Sequence, residues 1–200
     1  MKKRNILLVI CLLTAGTLSL MAAAQQEQKI LSEKLVRLHV VAHSDTESDQ
    51  AEKLLVRDAV LAVTEPLTQQ ADPRLALSSS LPEIQKAAEA CLQSLGSPHP
   101  VKVTLCRERF PTRYYENFAL PAGSYPALRV TIGEGNGKNW WCVAFPSICF
   151  RASAADLEEA AVSAGFTQKE ISLITEENGG YVLKFKFLEL LGKIKSQIFA

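Results

Sequence analysis

The residues of this 200-residue chain that could do chemistry fall into three groups. His39, His43 and Asp45 recur on alternate positions near the start and are of the types that ligate zinc. Asp45, Glu47, Asp49 and Glu52 follow at once and could be imagined as a general acid and base. Gly133, Gly135 and Gly137 form a G-x-G-x-G run of the kind that can cradle phosphate. Each group meets a physical objection. Two histidines four apart on a strand are separated by about 13 Å at about 3.3 Å per residue, beyond the reach of one ion, so no metal is expected. The carboxylates stand at the start of a helix, where they complement its dipole. The glycines are followed by a strand, whereas a dinucleotide fingerprint opens a helix, so no cofactor is expected. No serine occupies a nucleophile-elbow pattern and no histidine has a partner at usable spacing, so no catalytic residue is expected.

The elements that hold these residues follow from periodicity. Val36, Leu38, Val40 and Ala42 alternate with Arg37, His39, Val41, His43 and Asp45, which reads as a strand with one core face and one solvated face. Ser44-Asp45-Thr46-Glu47 fits a capping box. The helix it opens carries Leu55, Val56, Ala59, Val60 and Val63 as its stripe and ends or bends at Pro66. A second amphipathic helix runs through Leu81, Ile84, Ala88, Cys91, Leu92 and Leu95 to Gly96. A strand from Val101 follows, with Cys106 facing away from the core that Cys91 enters. Pairing of those two thiols would need a bulge or twist, and the question stays open.

Phe110 to Tyr125 is the most aromatic loop and has no period of its own; it is a lid on the sheet, a surface for a protein partner, or both. Val130 and Ile132 then alternate with Arg129 and Thr131, the glycines turn, and Trp140 to Phe145 resumes as strand, which reads as a hairpin. In that second strand Trp140, Cys142 and Ala144 share one face and Trp141, Val143 and Phe145 the other. A reversal at Pro146 brings Cys142 and Cys149 within bridging distance, a staple worth about 2–3 kcal/mol for so short a loop. After Phe150 come two short helices, a strand from Tyr181 to Phe187 and a basic amphipathic end, Leu188 to Phe199, that packs back on the domain or touches a membrane surface. The expected fold is α+β, a mixed or antiparallel sheet with the glycine-rich hairpin and amphipathic helices on one face.

Lys2, Lys3 and Arg4 precede an uncharged run from Ile6 to Ala24, the order of a secretory leader cleaved before Gln25, or of an N-terminal anchor. Residues 1–24 are read as that leader or anchor, 25–34 as a flexible spacer, 35–150 as the core domain and 151–200 as its extension. Removing the leader takes the 22 basic residues to 19 against 21 acidic ones, about two negative charges. That balance stands against nucleic acid as a partner. Export also leaves an even number of cysteines where disulfides persist.

Two blocks resemble one family. They are V-T-I-G-E-G-x-G-x-N-W-W-C-V-x-F-P-x-x-C-F from Val130, with Pro121 to Tyr125 before it, and R-L-H-V-V-A-H-S-D-T-E-S-D-Q-A-E-K-L-L-V-R-D from Arg37. Together they resemble stage II sporulation protein R, although that family usually has asparagine where this chain has His43. The resemblance implies a protein secreted from the forespore into the space between two membranes. There it would activate the membrane-embedded aspartic protease of the mother cell that processes the sigma-E precursor. It implies no catalytic residue. The shared block, with Tyr114, Tyr115 and Tyr125 nearby and Gly135, Asn139, Trp140 and Trp141 within it, is either the keystone of the fold or the partner surface. The rival reading is an exported hydrolase of wall or peptide material with Asp45, Glu47 or His39 at its site.

Overall fold

The computed structural model describes residues 2–70, 72–115, 118–146 and 154–175. Strand β1 (Val36–Val41) is the one about which the rest is laid, and all of its residues are buried. It pairs in parallel with β5 (Gly123–Ile132) and antiparallel with β6 (Asn139–Phe145), so that His39 lies between Arg129 and Trp141. β2 (Val101–Phe110) runs antiparallel to β5 on its other side, giving a four-stranded mixed sheet in the order β2, β5, β1, β6. The class is α+β, as expected.

The glycine-rich connection joins two strands of opposite direction, but β1 lies between them, so the hairpin is split. Residues 133–138 therefore cross the end of β1, a span of about 9–10 Å at two inter-strand spacings. A two-residue hairpin loop could not reach so far.

Helices α2 (Glu47–Thr64) and α4 (Leu81–Ser94) cover one face. Val56, Val60, Ile84, Ala88 and Leu92 meet Leu38, Val40, Leu128, Val130 and Ile132 there, each large aliphatic side chain contributing about 1.5–3 kcal/mol by leaving water. The cap of α2 is Thr46, whose side chain accepts from the Asp49 amide, two residues later than the sequence pattern suggests. Ser44 is drawn instead onto the Asp49 carboxylate. Between the helices lies α3 (Pro73–Ser79), capped by Asp72.

The other face is covered too, which corrects the expectation of helices on one side only. Leu31, Leu35, Phe118 and Leu120 pack there with Leu157, Ala160, Phe166, Ile171 and Ile174. The last five belong to α5 (Ala154–Ser163), α6 (Gln168–Ile174) and the link between them. The expected flexible spacer is helical as well, because α1 runs unbroken from Lys2 to Glu33. Its end is docked: Leu31 is fully buried, and Gln28 Nε2 donates to the Ala122 carbonyl at 3.3 Å. Just beyond it, Lys34 Nζ reaches Glu170 at 2.7 Å. The preceding turns expose Leu12, Leu13, Leu18 and Leu20. By length and composition this helix can cross a membrane, which fits a signal peptide or an anchor.

Phe145 departs from the strict alternation. A register shift opposite Val36 and Arg37 skips Ala144, so Phe145 joins Trp140 and Cys142 on the helical side. One extra residue in a strand turns every later side chain over. Cys91 and Cys106 are free thiols. Cys149, the expected strand from Tyr181 to Phe187 and the basic end from Leu188 to Phe199 lie outside the described residues.

Candidate functional site

The aromatic loop builds a small flap. Arg113 and Tyr114 (β3) pair antiparallel with Ala119 and Leu120 (β4), and the Tyr115 amide donates to the Phe118 carbonyl at 2.8 Å. Apart from Tyr114, its described rings pack inward: Tyr115 stacks on Phe118 with centroids 4.4 Å apart, and Phe110 meets Trp141 edge-on at 4.8 Å. Tyr125 is fully buried and its hydroxyl donates to the Pro121 carbonyl at 2.7 Å. That burial corrects its place among surface candidates. Desolvation raises its phenol to about 12.

Beneath the flap lie the side chains that the alternation of β1 assigns to water. Arg37 is completely buried and His39 almost so, which overturns the solvated-face expectation. The reason is local satisfaction. Arg37 Nε donates to the Cys142 carbonyl at 2.9 Å and Nη2 to the Tyr115 hydroxyl at 2.9 Å. Its guanidinium stands 4.4 Å from the Phe110 ring centre and 5.1 Å from that of Tyr125. Burial lowers the pKa of Arg37, with the charge of Arg113 acting in the same direction.

His39 sits in a polar rung that crosses the whole sheet. Its ring nitrogens hydrogen-bond Glu108 Oε2 at 2.9 Å and Asn139 Oδ1 at 2.7 Å. Glu108 accepts in turn from Arg129 Nη1 at 2.6 Å. The four residues come from β2, β5, β1 and β6, one each. Trp141 lies flat on the imidazole at 3.8 Å. With both ring nitrogens engaged by neighbouring strands, this histidine braces the sheet. Arg37, Glu108 and Arg129 are the residues that sequence reasoning passed over. The available signal was an arginine and a histidine on one face of an otherwise aliphatic strand.

The glycine turn is occupied by the fold itself. Asn136 and Gly137 amides donate to the His43 and Ala42 carbonyls at 3.1 and 3.0 Å, and the Lys138 amide to Asp45 Oδ1 at 2.7 Å. Gly135 adopts φ +65°. A side chain on Gly137 would collide with the Ser44 backbone carbonyl. These amides clamp the corner between β1 and α2, so they have none to offer a phosphate. Lys53, buried beside them, donates to the Lys138 carbonyl at 3.1 Å, and desolvation lowers its pKa.

His43, Asp49 and His99 bring possible metal-ligating atoms within 4.8 Å of one another. The His43 and His99 rings stack at 3.9 Å, and His99 Nε2 is 3.4 Å from Asp49 Oδ1. The tautomer stands against an ion here. His43 Nδ1 accepts from the Glu134 amide at 3.1 Å, which leaves the proton of the neutral ring on Nε2. A ligating histidine normally donates through its second nitrogen. The Ser44 hydroxyl, with Thr46 and the two rings behind it, holds the Asp49 carboxyl below its ordinary range, as suits a helix-capping anion.

The surface candidates thus separate. Tyr114 is half exposed, and Asn139 is exposed at the sheet edge while its side chain serves the rung. Tyr115 and Trp141 are partly buried within the flap layer. Trp140 lies on the opposite face, under the Arg57 guanidinium at 4.4 Å.

A family model described as stage II sporulation protein R matches residues 32–155, a stretch that takes in the flap, the rung and the glycine turn. The chain is 35% identical over 161 residues to stage II sporulation protein R of Bacillus subtilis strain 168, covering 75% of this chain and 72% of that protein. No solved structure matches.

Proposed function

The chain belongs to the stage II sporulation protein R family, and from that role in sporulation we propose that it is an exported signalling ligand. In this reading it leaves the forespore by its N-terminal apolar helix, which is cleaved or kept as an anchor. In the space between the membranes it activates the membrane-embedded aspartic protease of the mother cell. The protease then removes the pro-sequence of the sigma-E factor. The match across residues 32–155 carries the reading. Activation requires that the protein bind the active arrangement of the protease more tightly than the inactive one. It acts by binding and needs no cofactor or nucleic acid; a disulfide between Cys142 and Cys149 staples the end of β6.

The half-exposed Tyr114, with Tyr115 and Trp141 beside the flap, is the proposed contact surface, since tyrosine and tryptophan dominate binding energy at interfaces. Trp140 and Gly135 belong to the framework in this account. The hydrolase reading loses support because His39 is enclosed and Asp45 is engaged by the turn.

The test is precursor processing in cells that co-express the protease, the precursor and this protein. Processing should depend on the protein and fall about tenfold or more in Tyr114→Ala, with export unchanged. Export without processing by the wild type would overturn the reading.

A further inference from the structure

The described arginines are mostly matched to carboxylates. Arg57 pairs with Asp58, Arg74 and Arg107 with Glu33, and Arg129 with Glu108. Exposed Arg109 has no ion pair among the described residues, and Arg37 and Arg113 differ from it in having buried nitrogens without an acceptor. Arg37 has no exposed surface, its Nε and Nη2 are used within the fold, and its Nη1 is buried without an acceptor. Arg113, partly exposed on β3, has a buried Nε that also lacks an acceptor. Its guanidinium lies 5.6 Å from the Trp141 ring centre. The two cations are near enough that each acts on the Tyr115 phenol, and among the described residues neither forms an ion pair with a carboxylate.

A buried guanidinium is costly unless an anion answers it, and two side by side compound the cost. We propose that Arg37 and Arg113 form a recessed site beneath the flap that receives the carboxylate of an acidic side chain on a protein partner. The planar fork of arginine fits a carboxylate, which can accept at two oxygens from two donors at once. Phosphate is the poorer occupant, because it is bulkier than a flat carboxylate and the two unanswered nitrogens are buried. Arg113 forms the entrance and Arg37 the floor. Tyr114 and Trp141 flank it, and arginine, tyrosine and tryptophan together are the residue types that anchor protein interfaces. The partner's identity rests on the signalling function proposed above; the anion site does not.

Two arms test this on the full-length protein purified in detergent. Acetate at ionic strength matched with chloride should raise the melting temperature of the wild type, because a ligand of the folded state stabilises it. Arg113→Gln should fold and lose that rise, while Arg113→Lys keeps part of it. In the processing assay Arg113→Gln should reduce processing about tenfold or more. An equal acetate response in Arg113→Gln, or processing by that variant at the wild-type rate, would overturn the proposal. So would Glu116→Gln reproducing the Arg113→Gln phenotype, since the site would then be filled from within the chain. If the wild type itself triggers no processing, the signalling reading fails, and the acetate arm still decides whether the site exists.

Discussion

The imidazole of His39 lies parallel to the indole of Trp141, centroids 3.8 Å apart and planes 12° apart, across the pairing of β1 with β6. That contact joins the two sequence blocks that mark the family and places the histidine inside the molecule. It follows that His39→Ala should act on folding. Loss of two buried hydrogen bonds and a ring stack should cost about 2–4 kcal/mol, read as a lower urea midpoint. A folded His39→Ala with a wild-type midpoint and no function would point to chemistry instead.

Asp45 gives the complementary case. Its Oδ1 accepts from the Lys138 amide at 2.7 Å, and an asparagine oxygen can accept the same bond. Asp45→Asn should therefore fold and trigger processing as the wild type does, whereas Asp45→Ala should cost about 1–2 kcal/mol. An inactive but stable Asp45→Asn would revive a role for the carboxylate in catalysis.

Gly137→Ala should be among the most damaging small substitutions. Its methyl group meets the Ser44 backbone carbonyl, which is fixed by the turn into α2. A loss of more than about 2 kcal/mol is expected, seen as a midpoint shift at unchanged denaturant slope. A neutral result would mean that the turn does not clamp that corner.

The phenol of Tyr125 supplies a pH signature. Burial raises it from 10 to about 12, so the folded state keeps the proton longer than the unfolded chain does. The stabilisation is fully present below pH 10 and is lost as pH rises towards 12. At about 1.4 kcal/mol per pH unit the loss approaches about 3 kcal/mol. Stability of the wild type should fall more steeply over that range than stability of Tyr125→Phe; parallel profiles would contradict the burial.

Much of this architecture is legible in the chain. The strand period of β1 and the stripe of α4 appear where the residues place them. What the pattern around Arg37 and His39 could not disclose is their company. Their partners Glu108, Asn139 and Cys142 lie 69 to 105 residues away, and alternation reports only that a side chain is polar, not that the fold answers it. The split hairpin was closer to view: a connection from Gly133 to Lys138 is longer than adjacent strands need. The docked end of α1 was hidden because a polar stretch such as Gln25 to Lys34 offers only Ile30 and Leu31 as apolar residues, of which Leu31 alone is buried.

The most direct measurement is to add the protein, as released by cells that export it, to the outer face of mother-cell-type membranes carrying the protease and the sigma-E precursor. The account predicts that precursor is cleaved only when the protein is present, and that Tyr114→Ala, folded and exported alike, cleaves little. Intact precursor in the presence of folded wild-type protein would contradict it.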